Sequence, residues 1–160
     1  MAEAKRLAVG DLAPEFTLVD DSGASVSLTD LRATSQVIVY FYPAALTPGC
    51  TTQATDFTGA LDSLHEAGYT VVGVSPDAPE RLAAFRQQEG LGIVLLSDPD
   101  RLVLRAYGAF GEKKLYGRTV EGVIRSTVVV DQQGMVASAQ YNVRATGHVA
   151  KLRRELGLAA

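Results

Sequence analysis

The chain has 160 residues, 47% of them hydrophobic, and a formal net charge of −3. That is the size of one ordinary domain with enough apolar material for a core, so a single domain over residues 1–160 is expected. Its basic residues are scattered apart from Lys151, Arg153 and Arg154, which excludes a nucleic-acid footprint, and its longest apolar run, Val37 to Leu46, falls far short of the ~20 residues of a membrane-spanning helix.

In chain order, the opening MAEAKRLAVGDLAPEF has neither an uninterrupted apolar core nor a small-residue cleavage site, so no secretion leader and a cytoplasmic location are expected. EFTLVDDSGASVSL reads as a hairpin turning at Asp21-Ser22-Gly23. QVIVYFY, from Gln36 to Tyr42, is rich in β-branched and aromatic residues, as in a strand buried on both faces, and Pro43 stops it. From Cys50 to Ala67 the residues Ala54, Phe57, Leu61 and Leu64 recur at helical spacing, and Gly68 closes that helix.

A strand TVVGVS follows, then a helix from Pro79 to Glu89 with Leu82 and Phe85 inward. GIVLLSD is a strand and PDRLVLRAYG a helix, while GEKKLYGR reads as a solvated loop, because it lacks the glycine pattern of a phosphate cradle. VIRSTVVVD and MVASAQYN are strands joined at Gln132-Gln133-Gly134, and TGHVAKLRREL is a final helix. The order predicts an α/β thioredoxin-like fold: a mixed central sheet flanked by helices, with an N-terminal hairpin. His65 and His148 are expected to be structural, the latter solvated in the first turn of the last helix. With no acidic or cysteine cluster at ligand spacing, neither a metal nor a cofactor is expected.

The sequence has one cysteine, Cys50, which excludes an internal disulfide and suits a reducing compartment. Such a thiol is kept for its reactivity or serves as a small hydrophobe. Thr47 precedes Pro48, so it is biased to extended backbone, and Pro48 suits the first helical position. Thr47 is then the N-cap and Cys50 the third helical residue, among unpaired N–H groups at the positive end of the dipole, which favours the thiolate. Ala54 lies one turn on, so Cys50 looks toward the sheet.

Pro43, Thr47 and Cys50, spaced P-x-x-x-T-x-x-C after a buried strand, resemble the peroxidatic motif of peroxiredoxins. With YFYPAALTPGCTTQATDF, VVGVSPD, LLSDPD and GEKKLYGRTVEGVIRST, the chain from Gly10 to about Leu156 is similar to the bacterioferritin comigratory protein or peroxiredoxin Q branch. The resemblance implies a thioredoxin-fold peroxidase whose thiolate attacks hydrogen peroxide or an organic hydroperoxide and becomes a sulfenic acid. Thr47 and an arginine on a later strand, by position Arg125, would assist, and Pro43 would shield the sulfur. Each has a plainer role available: cap for Thr47, structural ion pair for Arg125, strand terminator for Pro43.

Stabilising the thiolate also weakens it as a nucleophile, so most of the acceleration is assigned to donors aimed at the peroxide oxygens: the Thr47 hydroxyl, the first-turn N–H groups and Arg125. Where members of the branch carry a resolving cysteine this chain has Thr55 or Arg86, so regeneration falls to an external thiol: thioredoxin, a glutaredoxin-like protein or a low-molecular-weight thiol. Leu46, where a polar residue is common, and Gly49 are candidates for the substrate pocket; Val128, where an aromatic residue is frequent, concerns packing. A monomer is expected. The rival reading is a non-enzymatic holdase or peroxide-sensing redox partner, which would show no peroxide turnover with an external thiol.

Overall fold

The computed structural model describes residues 5–158; residues 1–4 and 159–160, which the expected domain includes, lie outside the described residues. The elements are β1 (Thr17–Asp20), β2 (Ser25–Ser27), α1 (Leu28–Arg32), β3 (Gln36–Phe41), α2 (Pro48–Glu66), β4 (Tyr69–Ser75), α3 (Pro79–Glu89) and β5 (Val94–Ser97). There follow α4 (Leu102–Ala106), β6 (Phe110–Leu115), β7 (Arg118–Val123), β8 (Ser126–Val130), β9 (Val136–Tyr141) and α5 (His148–Glu155). Seven strands form a mixed sheet in the order β2-β1-β5-β4-β3-β8-β9, parallel from β5 through β3 and antiparallel elsewhere.

β3 is central, and its two-residue period explains why it reads as an unbroken apolar run. Val37, Val39 and Phe41 join one buried cluster with Leu28, Leu104 and Tyr107. Ile38, Tyr40 and the following Tyr42 join another with Phe57 and Leu64 of α2, Leu82 and Phe85 of α3, and Val149 and Leu152 of α5. In α2 the fully inward residue between Phe57 and Leu64 is Ala60, and Leu61 is only partly buried at the rim. Gly68 follows the helix at φ 92°, a left-handed turn that glycine makes without a Cβ clash. The N-terminal hairpin forms as expected, with the Asp20 carboxylate accepting from the Ser22 and Ala24 N–H groups across its turn.

Ahead of the hairpin, residues 7–13 lie along β9. The Leu7 N–H donates to the Tyr141 hydroxyl, Gly10 N–H to Val136 C=O and Ala13 N–H to Gly134 C=O, while Val136 N–H returns to Asp11 C=O.

Several expectations change. The stretch read as a solvated loop around GEKKLYGR is an antiparallel hairpin, β6 with β7, forming its own two-stranded sheet. Its two-residue turn is Tyr116-Gly117, both at positive φ (52° and 76°), as the twist of a tight hairpin demands. Helix α1, unforeseen, starts at Ser27, whose hydroxyl accepts the Asp30 N–H. The helix expected from Pro99 begins later, because the Asp98 carboxylate accepts the Leu104 N–H.

His148 is not solvated. It is 4% exposed, with Nε2 2.8 Å from Thr127 Oγ1 and its ring edge-on to Phe57. Burial is the main influence and pushes the imidazole below its ordinary pKa of 6.5; Lys151 and Arg125 act in the same direction, against Glu155. The unfolded chain therefore binds this proton more readily than the native one. The stability held by neutral His148 is complete above the unfolded value and is lost as pH falls through the lowered native value. The unfolding free energy from urea melts is expected to drop between pH 7 and pH 5, by at most about 1.4 kcal/mol per pH unit for this one proton. His148→Gln should flatten the drop; parallel pH profiles for the two proteins would refute the assignment.

Candidate active site

The loop from β3 to α2 carries Pro43, Ala44, Ala45, Leu46 and Thr47, and delivers the chain into the helix at Pro48. Thr47 has the extended backbone of an N-cap (φ −99°, ψ 155°), but its side chain caps nothing. Its hydroxyl instead donates to the Ala44 carbonyl at 2.7 Å. A hydroxyl has one hydrogen to give, so here the Thr47 oxygen is left with lone pairs to accept. With its hydrogen directed at Ala44, the oxygen can receive a hydrogen bond from a molecule bound at this site.

Cys50 is the third residue of α2, 1% exposed and packed in the cluster around Tyr40 and Phe57. The opening N–H groups of the helix, those of Gly49 and Cys50 among them, have no carbonyl one turn back within it. Thr51 N–H reaches the Thr47 carbonyl at 2.9 Å and ties cap to helix.

Arg125 comes from just ahead of β8, the strand that pairs with β3. It sits in the short step between β7 and β8, rather than inside a strand, and its backbone carbonyl accepts Val143 N–H. Its Nη2 donates to Cys50 Sγ at 3.4 Å and its Nη1 to Gln53 Oε1 at 2.7 Å. Gln53 lies one turn after Cys50 on the same face of α2 and is fully buried, with its Nε2 lacking a protein partner. It neutralises none of the guanidinium charge, because its side chain is an amide. The sequence signal for Gln53 is its spacing i, i+3 from Cys50, which places it on the same face.

Gly49 completes this contact. A Cβ there would stand 3.4 Å from Arg125 Nη2 and 3.6 Å from Ala145 Cβ, so a longer side chain would crowd the guanidinium. Leu46 is half-buried, packs against the cluster holding Cys50, and has left-handed backbone, φ 65°. Pro43 is half-buried at the end of β3, and the hydrogen bonds of the site do not depend on it. Beneath Cys50, Tyr40 stacks on Phe57 at 4.6 Å between ring centres, and burial holds its phenol far above its usual pKa, hence protonated.

The two positions where the branch carries resolving cysteines hold residues with other work. Thr55 Oγ1 donates back to the Thr51 and Thr52 carbonyls. Arg86 forms a two-pronged ion pair with Asp21 at 2.6 and 3.0 Å and also binds the Leu91 carbonyl.

A model of the AhpC/TSA family matches residues 9–139. A Mycobacterium tuberculosis protein named as a peroxiredoxin is 61% identical over 99% of this chain and 100% of its own length. Peroxiredoxin Bcp of Escherichia coli is 41% identical, with 89% of this chain and 90% of that protein covered. Among solved structures, the Xanthomonas campestris bacterioferritin comigratory protein, studied for alkyl peroxide reduction, superposes with a TM-score of 0.82 at 32% identity, covering 89% of this chain and 90% of that one.

Proposed function

The chain belongs to the AhpC/TSA family, as a peroxiredoxin of the Bcp/peroxiredoxin Q type and so a thiol-dependent peroxidase, and on that premise we propose that Cys50 is its nucleophile. The observation that carries the assignment is the contact of Arg125 Nη2 with Cys50 Sγ in the first turn of α2. A guanidinium donor and open helix N–H groups both favour negative charge on that sulfur.

The thiolate attacks one peroxide oxygen, so that an S–O bond forms and the O–O bond breaks. The departing oxygen takes the electron pair and a proton and leaves as water or an alcohol, and Cys50 becomes a sulfenic acid. Arg125 and the N–H groups of Gly49 and Cys50 offset the charge that moves onto the leaving oxygen. Thr47, its hydrogen committed to Ala44, accepts from the hydroxyl of the incoming peroxide and so orients it. Pro43 covers the sulfur from the loop side.

This is the only cysteine in the sequence, so an external thiol must attack the sulfenic sulfur, releasing water, and a second thiol must free Cys50 from the mixed disulfide. Thioredoxin, a glutaredoxin-like protein and a low-molecular-weight thiol all supply that chemistry. The test is one equivalent of peroxide followed by a dimedone-type probe, read by intact and native mass. A trapped sulfenic acid on a monomer is expected, and each reductant offered separately should erase it if it serves. A covalent dimer with no trapped adduct would overturn the one-cysteine cycle.

Leu46 and Gly49 are proposed to line the entrance. An apolar Leu46 gives an alkyl hydroperoxide a surface on which to bury its tail, at ~0.8 kcal/mol per methylene fully removed from water, and hydrogen peroxide gains nothing from it. Two or three partly buried methylenes favour the organic substrate by about 10-fold. Leu46→Asp, which also tolerates left-handed backbone better, should shift the ratio of stopped-flow rate constants for cumene hydroperoxide and hydrogen peroxide toward the latter. An unchanged ratio would make Leu46 a packing residue alone.

A further inference from the structure

The loop that carries Thr47 enters α2 through Leu46 at φ 65°, a conformation that an ordinary side chain resists and that persists only where its surroundings dictate it. The surroundings that dictate it come from the segment after β4. Asp77 Oδ2 accepts the Ala45 N–H at 2.7 Å and the Ser75 hydroxyl at 2.8 Å. Asp77 Oδ1 is 3.2 Å from Arg81 Nε, and Arg81 Nη2 donates to the Ala45 carbonyl at 3.0 Å.

Both polar groups of Ala45 are thus held by one carboxylate–guanidinium pair. The holder is itself fixed, since the Ser97 hydroxyl donates to the Asp77 backbone carbonyl. Ala45 has its methyl group in the cluster that contains Cys50, and the preceding residue, Ala44, supplies the carbonyl that takes the Thr47 hydrogen. The line of support runs from Asp77 through Ala45 and Ala44 to the Thr47 oxygen.

We propose that Asp77, with Arg81, is a positioning residue for peroxide attack: it sets the Ala44–Ala45 backbone and thereby the direction in which Thr47 receives the peroxide. The proposal rests on the assignment of Cys50 and Thr47 above. The side chain of Asp77 is 10% exposed and that of Arg81 50% exposed, so the ion pair alone is partly solvated and contributes little as a charge pair. Its importance lies in geometry. The carboxylate is the partner of a backbone N–H in a loop that has no strand or helix to define it, and misplacing a catalytic group by about 1 Å is enough to cost on the order of 100-fold in rate.

A residue that merely ties α3 to the sheet would alter stability and leave the chemistry of Cys50 alone. Two reactions of the same sulfur separate the roles. Oxidation by hydrogen peroxide uses Thr47, and alkylation by iodoacetamide needs only the thiolate and its accessibility. Asp77→Ala is expected to lower the peroxide rate constant by ~10- to 100-fold while alkylation changes by less than about 3-fold, so that the ratio of the two falls.

Asp77→Asn keeps an oxygen for the Ala45 N–H and should restore most of that ratio. Arg81→Ala, which frees the Ala45 carbonyl and removes the ion-pair partner of Asp77 but leaves the carboxylate on the Ala45 N–H, should lower it by roughly 3- to 10-fold. If Asp77→Ala does not fold, the asparagine and Arg81 variants decide: a ratio in Arg81→Ala equal to that of the wild type overturns the proposal. So does an Asp77→Ala protein in which both rates fall together or neither falls. The wild type is its own control, because a Cys50 that meets peroxide no faster than a free thiol would sink the peroxidase assignment before any variant is compared.

Discussion

Cys50→Ser is expected to abolish peroxide reduction and leave the fold in place. A serine hydroxyl at pH 7 is essentially never ionised, and among the described residues the one side chain hydrogen-bonded to position 50 is the guanidinium of Arg125, which is no base, so the attack on oxygen loses its nucleophile. The fold should survive because the change is nearly isosteric. The new hydroxyl falls in the first turn of α2, where a serine can bond back to a carbonyl of the loop, and Arg125 Nη2, 3.4 Å from the sulfur, supplies a donor. The measurement is peroxide consumption with an external thiol, alongside circular dichroism and a urea melt. Turnover above a few per cent of wild type would mean that another group carries the chemistry.

Thr47→Val is expected to slow the oxidation of Cys50 on the order of 100-fold, the scale of a lost orientation, with little loss of stability. Valine keeps the β-branched shape and removes the oxygen that orients the peroxide. The structure sharpens this expectation: since the Thr47 side chain makes no capping hydrogen bond, the helix loses no cap when the hydroxyl goes. The lost bond is the one to the Ala44 carbonyl, at a half-buried position that water can serve. Stopped-flow oxidation and urea midpoints are compared. A variant that oxidises at the normal rate, or one whose main defect is unfolding, would refute the role given to Thr47.

The parts of this molecule legible in the sequence are those written in local periodicity. β3 announces itself by β-branched and aromatic residues and by Pro43, and α2 by Pro48, the spacing of Ala54, Phe57 and Leu64, and Gly68. The hairpin of β6 and β7 was hidden because Glu112, Lys113, Lys114, Arg118 and Glu121 put charge on both sides of its strands and mask the alternation that marks a half-buried ribbon. His148 is illegible for the opposite reason. A polar residue in a first helical turn reads as solvated, and its burial depends on Thr127 and Phe57, which only the tertiary fold brings near.

The site divides in the same way. Cys50 at the start of a helix is legible in Thr47-Pro48-Gly49, whereas Arg125 is 75 residues away and only the family resemblance points to it. Gln53 was within reach of helical spacing. The hold of Asp77 on Ala45 joins two loops 32 residues apart and leaves no trace in either segment read alone.

The hydrogen bonds between residues 7–13 and the β9 edge bear on the order in which the molecule can be assembled during synthesis. Those early residues leave the ribosome long before their partners at 134–141 exist, and β3 must likewise wait for β8 at its side. At about 5–20 residues per second, the apolar segment of β3 spends several seconds without its second neighbour. Closure of the sheet is therefore a late event, reached from a nascent chain whose most aggregation-prone stretch is made early, and that interval is where a cell's chaperones would first meet this protein.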